Sequence, residues 1–154
     1  MQYRVSLIPL VFLSLSSAAG QAQSPRPQGP LVYLIAPSGS TQRQADRLLR
    51  LCRWSDTTVA LDADLVVAVV RSSSSDPLEG SYDSLKWLRD AANGQSNEGG
   101  AQFHVYLYQF TPAGPEHLQA ISHRSFDVNE GGVLTLLGQP PRASHWCGWG
   151  CGCF

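Results

Sequence analysis

The chain has 154 residues, with 11 Lys and Arg against 12 Asp and Glu, for a formal charge of −1 at neutral pH. A near-neutral, slightly acidic chain lacks the basic surface that nucleic acid or an anionic membrane would attract. The length suits one domain with a single real core.

The first two dozen residues set the expected destination. Arg4 supplies a positive start, Val5 to Leu15 is mostly apolar, and Gly20 and Ala22 offer small residues at cleavage spacing. That layout is a secretory signal peptide over residues 1–22, too short to leave a stable membrane span. The expected location is periplasmic or secreted. No Asn-x-Ser/Thr acceptor follows, since Asn93, Asn97 and Asn129 all lack the hydroxyl two positions on.

Residues 23–29 form a proline-rich leader. A single domain is expected over 30–141, followed by a Cys/Gly/Trp-rich tail over 142–154. Leu31 to Ala36 is an apolar run of the kind found in a strand buried on both faces, and Pro37 ends it. Ser38, Ser40 and Thr41 are available as helix caps, and Ala45, Leu48, Leu49 and Cys52 then share one helical face. Asp62 and Asp64 read as turn residues before a second buried strand, Leu65 to Val70. Ser72 to Pro77 reads as a surface loop.

Tyr82, Leu85, Leu88 and Ala92 predict a second helix, stopped at Asn93-Gly94, with a polar loop over Gln95–Gly100. Phe103 to Phe110 alternates cleanly as a strand. Glu116 to Phe126 fits a returning hairpin strand better than a helix, with Tyr108 opposite His117 and Leu107 opposite Leu118. In that register His104, His117 and His123 share a face with Tyr106 and Tyr108. The expectation for that face is a solvated, aromatic-rich sheet surface, although a metal or a partner protein could also bind it. Asp127 and Glu130 resemble a capping box for a terminal helix through Val133, Leu134 and Leu137.

The resulting order is an α/β, thioredoxin-like arrangement: a βαβ unit, a helix, an antiparallel β-hairpin and a C-terminal helix. Pro30-Leu31-Val32, the Ala36-Pro37-Ser38 turn, the Gln44–Leu49 helix and Asp64-Leu65-Val66-Val67 resemble a domain-of-unknown-function family of short exported bacterial proteins with a thioredoxin-like fold. The likeness continues through Phe103–Leu107 to the helix before Pro140. It implies a fold and an envelope location and brings no activity. The Ser72–Ser75 loop, the Gln95–Gly100 loop and the tail depart from the family pattern.

A thioredoxin-type enzyme places a reactive thiol at the start of the first helix, where amides and the helix dipole lower its pKa. Here that turn reads Ala36-Pro37-Ser38-Gly39-Ser40-Thr41, with no sulfur. No complete catalytic motif is present, Ser38 being outside any Gly-x-Ser-x-Gly elbow, so a non-enzymatic role is expected. The same amides could hold an anion or ligand beside Ser38, Ser40 and Thr41, or these residues could simply cap the helix. In the tail, His145, Cys147, Cys151 and Cys153 either form disulfides or bind Cu or Zn. Cys52, on the apolar face of its helix, could stay in the core or join that pairing. Apart from such a metal no cofactor is expected. The expected function is an exported, non-catalytic binding or accessory protein for an unknown protein or small ligand. The alternative is an envelope thiol- or metal-handling protein that works through the tail.

Overall fold

The computed structural model describes residues 29–114 and 116–128. The order is β1 (Leu31–Ile35), α1 (Gly39–Cys52), β2 (Ser55–Thr57), a 3-10 turn (Ala60–Asp62), β3 (Leu65–Ser72), β4 (Ser81–Tyr82), α2 (Leu85–Gln95), β5 (Gln102–Phe110) and β6 (Leu118–Asp127). The strands form one mixed sheet in the order β2-β1-β3-β5-β6-β4, so β2 and β4 are its edges. β1 runs parallel to β2 and β3, whereas β3–β5, β5–β6 and β4–β6 are antiparallel.

β3 explains the layering. Six successive residues, Leu65 to Val70, are fully or almost fully buried. A strand can be apolar without alternation only when both sheet faces are covered. Leu65, Val67 and Val69 pack with Ala45, Leu48 and Cys52 of α1. Val66, Ala68 and Val70 pack with Leu88 and Ala92 of α2. The described residues thus make an α/β/α sandwich with a core on each side of the sheet.

The parallel β1–α1–β3 unit, both helices and the β5–β6 hairpin agree with the sequence reading. The sheet adds β2 and β4 as edges. Tyr82 belongs to β4 rather than to α2, and α2 continues through Gly94 until Ser96 N–H closes on the Ala92 carbonyl. The terminal helix expected through Val133, Leu134 and Leu137, and its Glu130 cap, lie outside the described residues; Asp127 itself is the last residue of β6.

The hairpin register needs correction. Phe110 stands opposite Leu118 and Tyr108 opposite Ala120, and a bulge between Leu107 and Tyr108 then shifts the pairing so that Phe103 meets Phe126. Matching Leu107 to Leu118 ignored this bulge and the longer turn, which Thr111 N–H closes on the His117 carbonyl. The stacked Phe103 and Phe126 rings, 5.5 Å between centroids, are the apolar pair that the true register gains.

Candidate functional site

Three places on this frame bear on function. The first is the β1–α1 turn. Ser38 is the N-cap of α1, and its side chain and that of Thr41 exchange the reciprocal bonds of a capping box. Capping therefore uses two of the residues named as a ligand site. Ser40 Oγ instead donates to the carboxylate of Glu98 at 2.6 Å. That bond, ahead of one from Ser38 and a weak attraction from Arg71 at 3.7 Å, holds the Glu98 carboxyl below the usual range. A carboxylate of the chain itself thus lies beside Ser40 at the start of this helix. Arg71 braces the same loop by donating from Nε to the Gly100 carbonyl at 2.8 Å. With no thiol in the turn, nothing here can attack a disulfide.

The second place is the pleated face of His104, Tyr106 and Tyr108. It is not a solvated surface: all three residues are buried, Tyr106 and Tyr108 packed with Leu78 and with Leu88 and Ala92 of α2, and His104 against His123 and Tyr106. Tyr106 donates its hydroxyl proton to Asp76 and accepts from Leu78 N–H at 3.3 Å, and Tyr108 donates to the Leu78 carbonyl at 2.8 Å. Burial pushes both phenols well above their ordinary pKa. His123 stacks flat on Tyr106, 4.1 Å between centroids, and its Nε2 lies 3.1 Å from His104 Nδ1. His117 does not join them, since it sits in the turn beside Thr111. Among the described residues no group of three His, Cys, Asp or Glu is arranged to hold a metal ion.

The third place escaped the sequence reading. α1 turns Gln42, Asp46, Leu49 and Arg50 towards the edge strand β2, with Arg53 at its end. Between helix and edge lie two cavities in line. One, of about 500 Å³, is lined by Asp46, Leu49, Arg50, Arg53, Trp54 and Asp56. The other, of about 290 Å³, is lined by Tyr33, Leu34, Gln42, Asp56, Thr57 and Thr58. Asp56 lines both, so the two adjoin as a groove along β2, an edge of the sheet among the described residues.

Arg53 carries a mark of cost. It is the non-glycine residue with positive φ among those described (φ 54°), at the left-handed position that ends α1. Glycine is the usual occupant of such a cap, because a side chain there crowds the backbone. Here the position keeps a long cationic side chain on the groove wall. The sequence signal was available, a helix that stops without Gly or Asn, but it says nothing about what the arginine faces.

Among the expected site residues, His145, Cys147, Cys151 and Cys153 lie outside the described residues. Cys52 is in the core with 1 % exposure. No helix among the described residues is long and apolar enough to cross a membrane. Comparison with family models, with curated proteins and with solved structures gives no match to this chain.

Proposed function

We propose that this chain is an exported, non-catalytic binding or accessory module. Its working surface is the groove between α1 and the β2 edge, and its ligand is an extended segment of a partner protein. The observation that carries this reading is Arg53, held at a strained backbone position with its side chain lining the larger cavity. Backbone strain persists where the strained side chain is needed or the surroundings enforce it. Arg50 and Arg53 suit a carboxylate on the partner, Leu49 and Trp54 suit an apolar side chain, and the open β2 edge offers backbone hydrogen bonds to an added strand. β2 has only three residues and carries Asp56, features that discourage indiscriminate pairing, so the cavities must supply most of the selectivity.

The thioredoxin-like reading of the fold belongs to this proposal, supported by the parallel β1–α1–β3 unit and the β5–β6 hairpin. Export belongs to it as well, supported by the pattern of residues 1–22. The sulfur-free β1–α1 turn and its internal carboxylate favour binding over thiol chemistry in the folded domain.

The test compares capture of envelope proteins by the immobilised full chain, by an Arg50→Glu/Arg53→Glu variant, and by a chain lacking residues 143–154. Capture lost in the double variant and kept on tail removal is the expected result. Capture, or metal uptake, that depends on the tail and ignores both arginines would instead make His145, Cys147, Cys151 and Cys153 the working groups.

A further inference from the structure

The His104–His123 contact is independent of the groove. Its two facing nitrogens, 3.1 Å apart, need one N–H and one lone pair between them. The outer nitrogen of His123, Nδ1, lies 4.0 Å from Asp76 Oδ1. The outer nitrogen of His104, Nε2, is buried without a hydrogen-bond partner, on a residue with no exposed surface. Asp76 also accepts from Tyr106, whose oxygen in turn accepts from Leu78 N–H. His123, stacked on the Tyr106 ring, thus lies beside the residue whose hydroxyl bonds both Asp76 and Leu78.

We propose that this pair is a proton-operated latch: neutral, it holds the Asp76–Leu78 segment against β5 and β6, and its full protonation in acid releases that segment. The chemistry is a count of hydrogens. The neutral pair carries two on four nitrogens, and one facing nitrogen donates to the other. A first added proton fits, because an imidazolium at His123 can point one N–H at Asp76 and the other at His104. A second puts hydrogens on both facing nitrogens, and the 3.1 Å contact cannot survive.

The surroundings make that proton costly. The groups facing the pair are Asp76 and the Ser74 backbone from the loop and the Tyr106 ring from β5. Asp76 is the charged one among them. The residue opposite His104 on β3 is Val70, and α2 presents Leu88 and Ala92 to this side. Burial, with repulsion from its neighbour, lowers the His104 pKa, and burial lowers that of His123 despite the pull of Asp76. The histidine pair binds protons more readily with the segment released than with it closed, so the linkage favours release as pH falls below the ordinary histidine range.

Amide hydrogen exchange on the full chain, corrected for intrinsic rates, tests this. Between about pH 8 and about pH 4.5, protection of Leu78 N–H should fall by about tenfold or more in the wild type. In His123→Gln, which leaves His104 as the one imidazole of the pair, protection should fall less steeply over the same range. Wild-type protection that does not change, or an equal fall in His123→Gln, would overturn the proposal. Should the variant fail to fold, the histidine Cε1 resonances of the wild type decide. Two coupled steps below the ordinary range support the latch, and two independent titrations within it refute it.

Discussion

The hydroxyl of Ser40 donates to the carboxylate of Glu98 across 58 positions of sequence, at 2.6 Å. The bond joins the first turn of α1 to the loop that follows α2, so helices on opposite faces of the sheet are tied at one end of it. Glu98 thus lies at the start of α1, and its charge favours the positive end of the helix.

This bond gives a pH dependence of definite sign. The Glu98 carboxyl is held below its ordinary value chiefly by Ser40. Its contribution to stability is complete above the ordinary glutamate range and is lost as pH falls through the lowered folded value. Carboxyl resonances followed by NMR should show Glu98 titrating below the exposed acids, and Ser40→Ala should move it back upward. A Glu98 that titrates identically in both proteins would mean the bond is absent in solution.

Substitutions on α2 separate its two faces. Leu88 is fully buried against the sheet, whereas its neighbour Trp87 is 66 % exposed. Leu88→Ala removes a packed side chain and should cost about 2–5 kcal/mol. Trp87→Ala should stay within about 0.5 kcal/mol of the wild type. Urea unfolding of both variants checks the pair, and similar losses in the two would contradict the orientation of the helix.

What the sequence disclosed, it disclosed through periodicity. Leu65 to Val70 announced a strand covered on both faces, and Ala45, Leu48 and Cys52 announced the face of α1 that packs on it. Ser55-Asp56-Thr57 has no apolar alternation to reveal β2, since an edge strand of three residues needs none. Without β2, the series Gln42, Asp46, Arg50 and Arg53 reads as an ordinary solvated helix face. The groove exists only through the tertiary placement of that edge. The three-histidine face failed for a related reason. Alternation separated the two sides of β5 correctly but could not show that α2 and Leu78 bury its tyrosines, or that the longer turn would leave His117 outside.

Gly100 is set by close approach. A Cβ built on it would lie 2.7 Å from backbone atoms of Ser72, which cannot move without displacing the end of β3. Gly100→Ala should therefore destabilise by about 1–3 kcal/mol, the usual cost of forcing an extra methyl into a packed site. Gly94, in the last turn of α2, has open space around its missing Cβ. There the same substitution should gain up to about 1 kcal/mol through helix propensity. Opposite shifts in melting temperature are the expected readout.

Arg53 offers the sharpest separation of stability from function. Its left-handed backbone costs about 1 kcal/mol relative to glycine, while its side chain lies exposed on the groove. Arg53→Gly should leave the fold intact and raise its stability by up to about 1 kcal/mol, less what the more flexible unfolded chain takes back. Partner capture through the groove should fall in the same variant. Arg50→Gln provides the comparison, since it removes a groove charge from regular helix and should weaken capture without stabilising the protein. If Arg53→Gly is more stable and binds as well as the wild type, the strained arginine has no role in recognition and the groove loses its main support. A destabilised Arg53→Gly would show that the side chain holds the helix end together, and the strain would then have a structural cause.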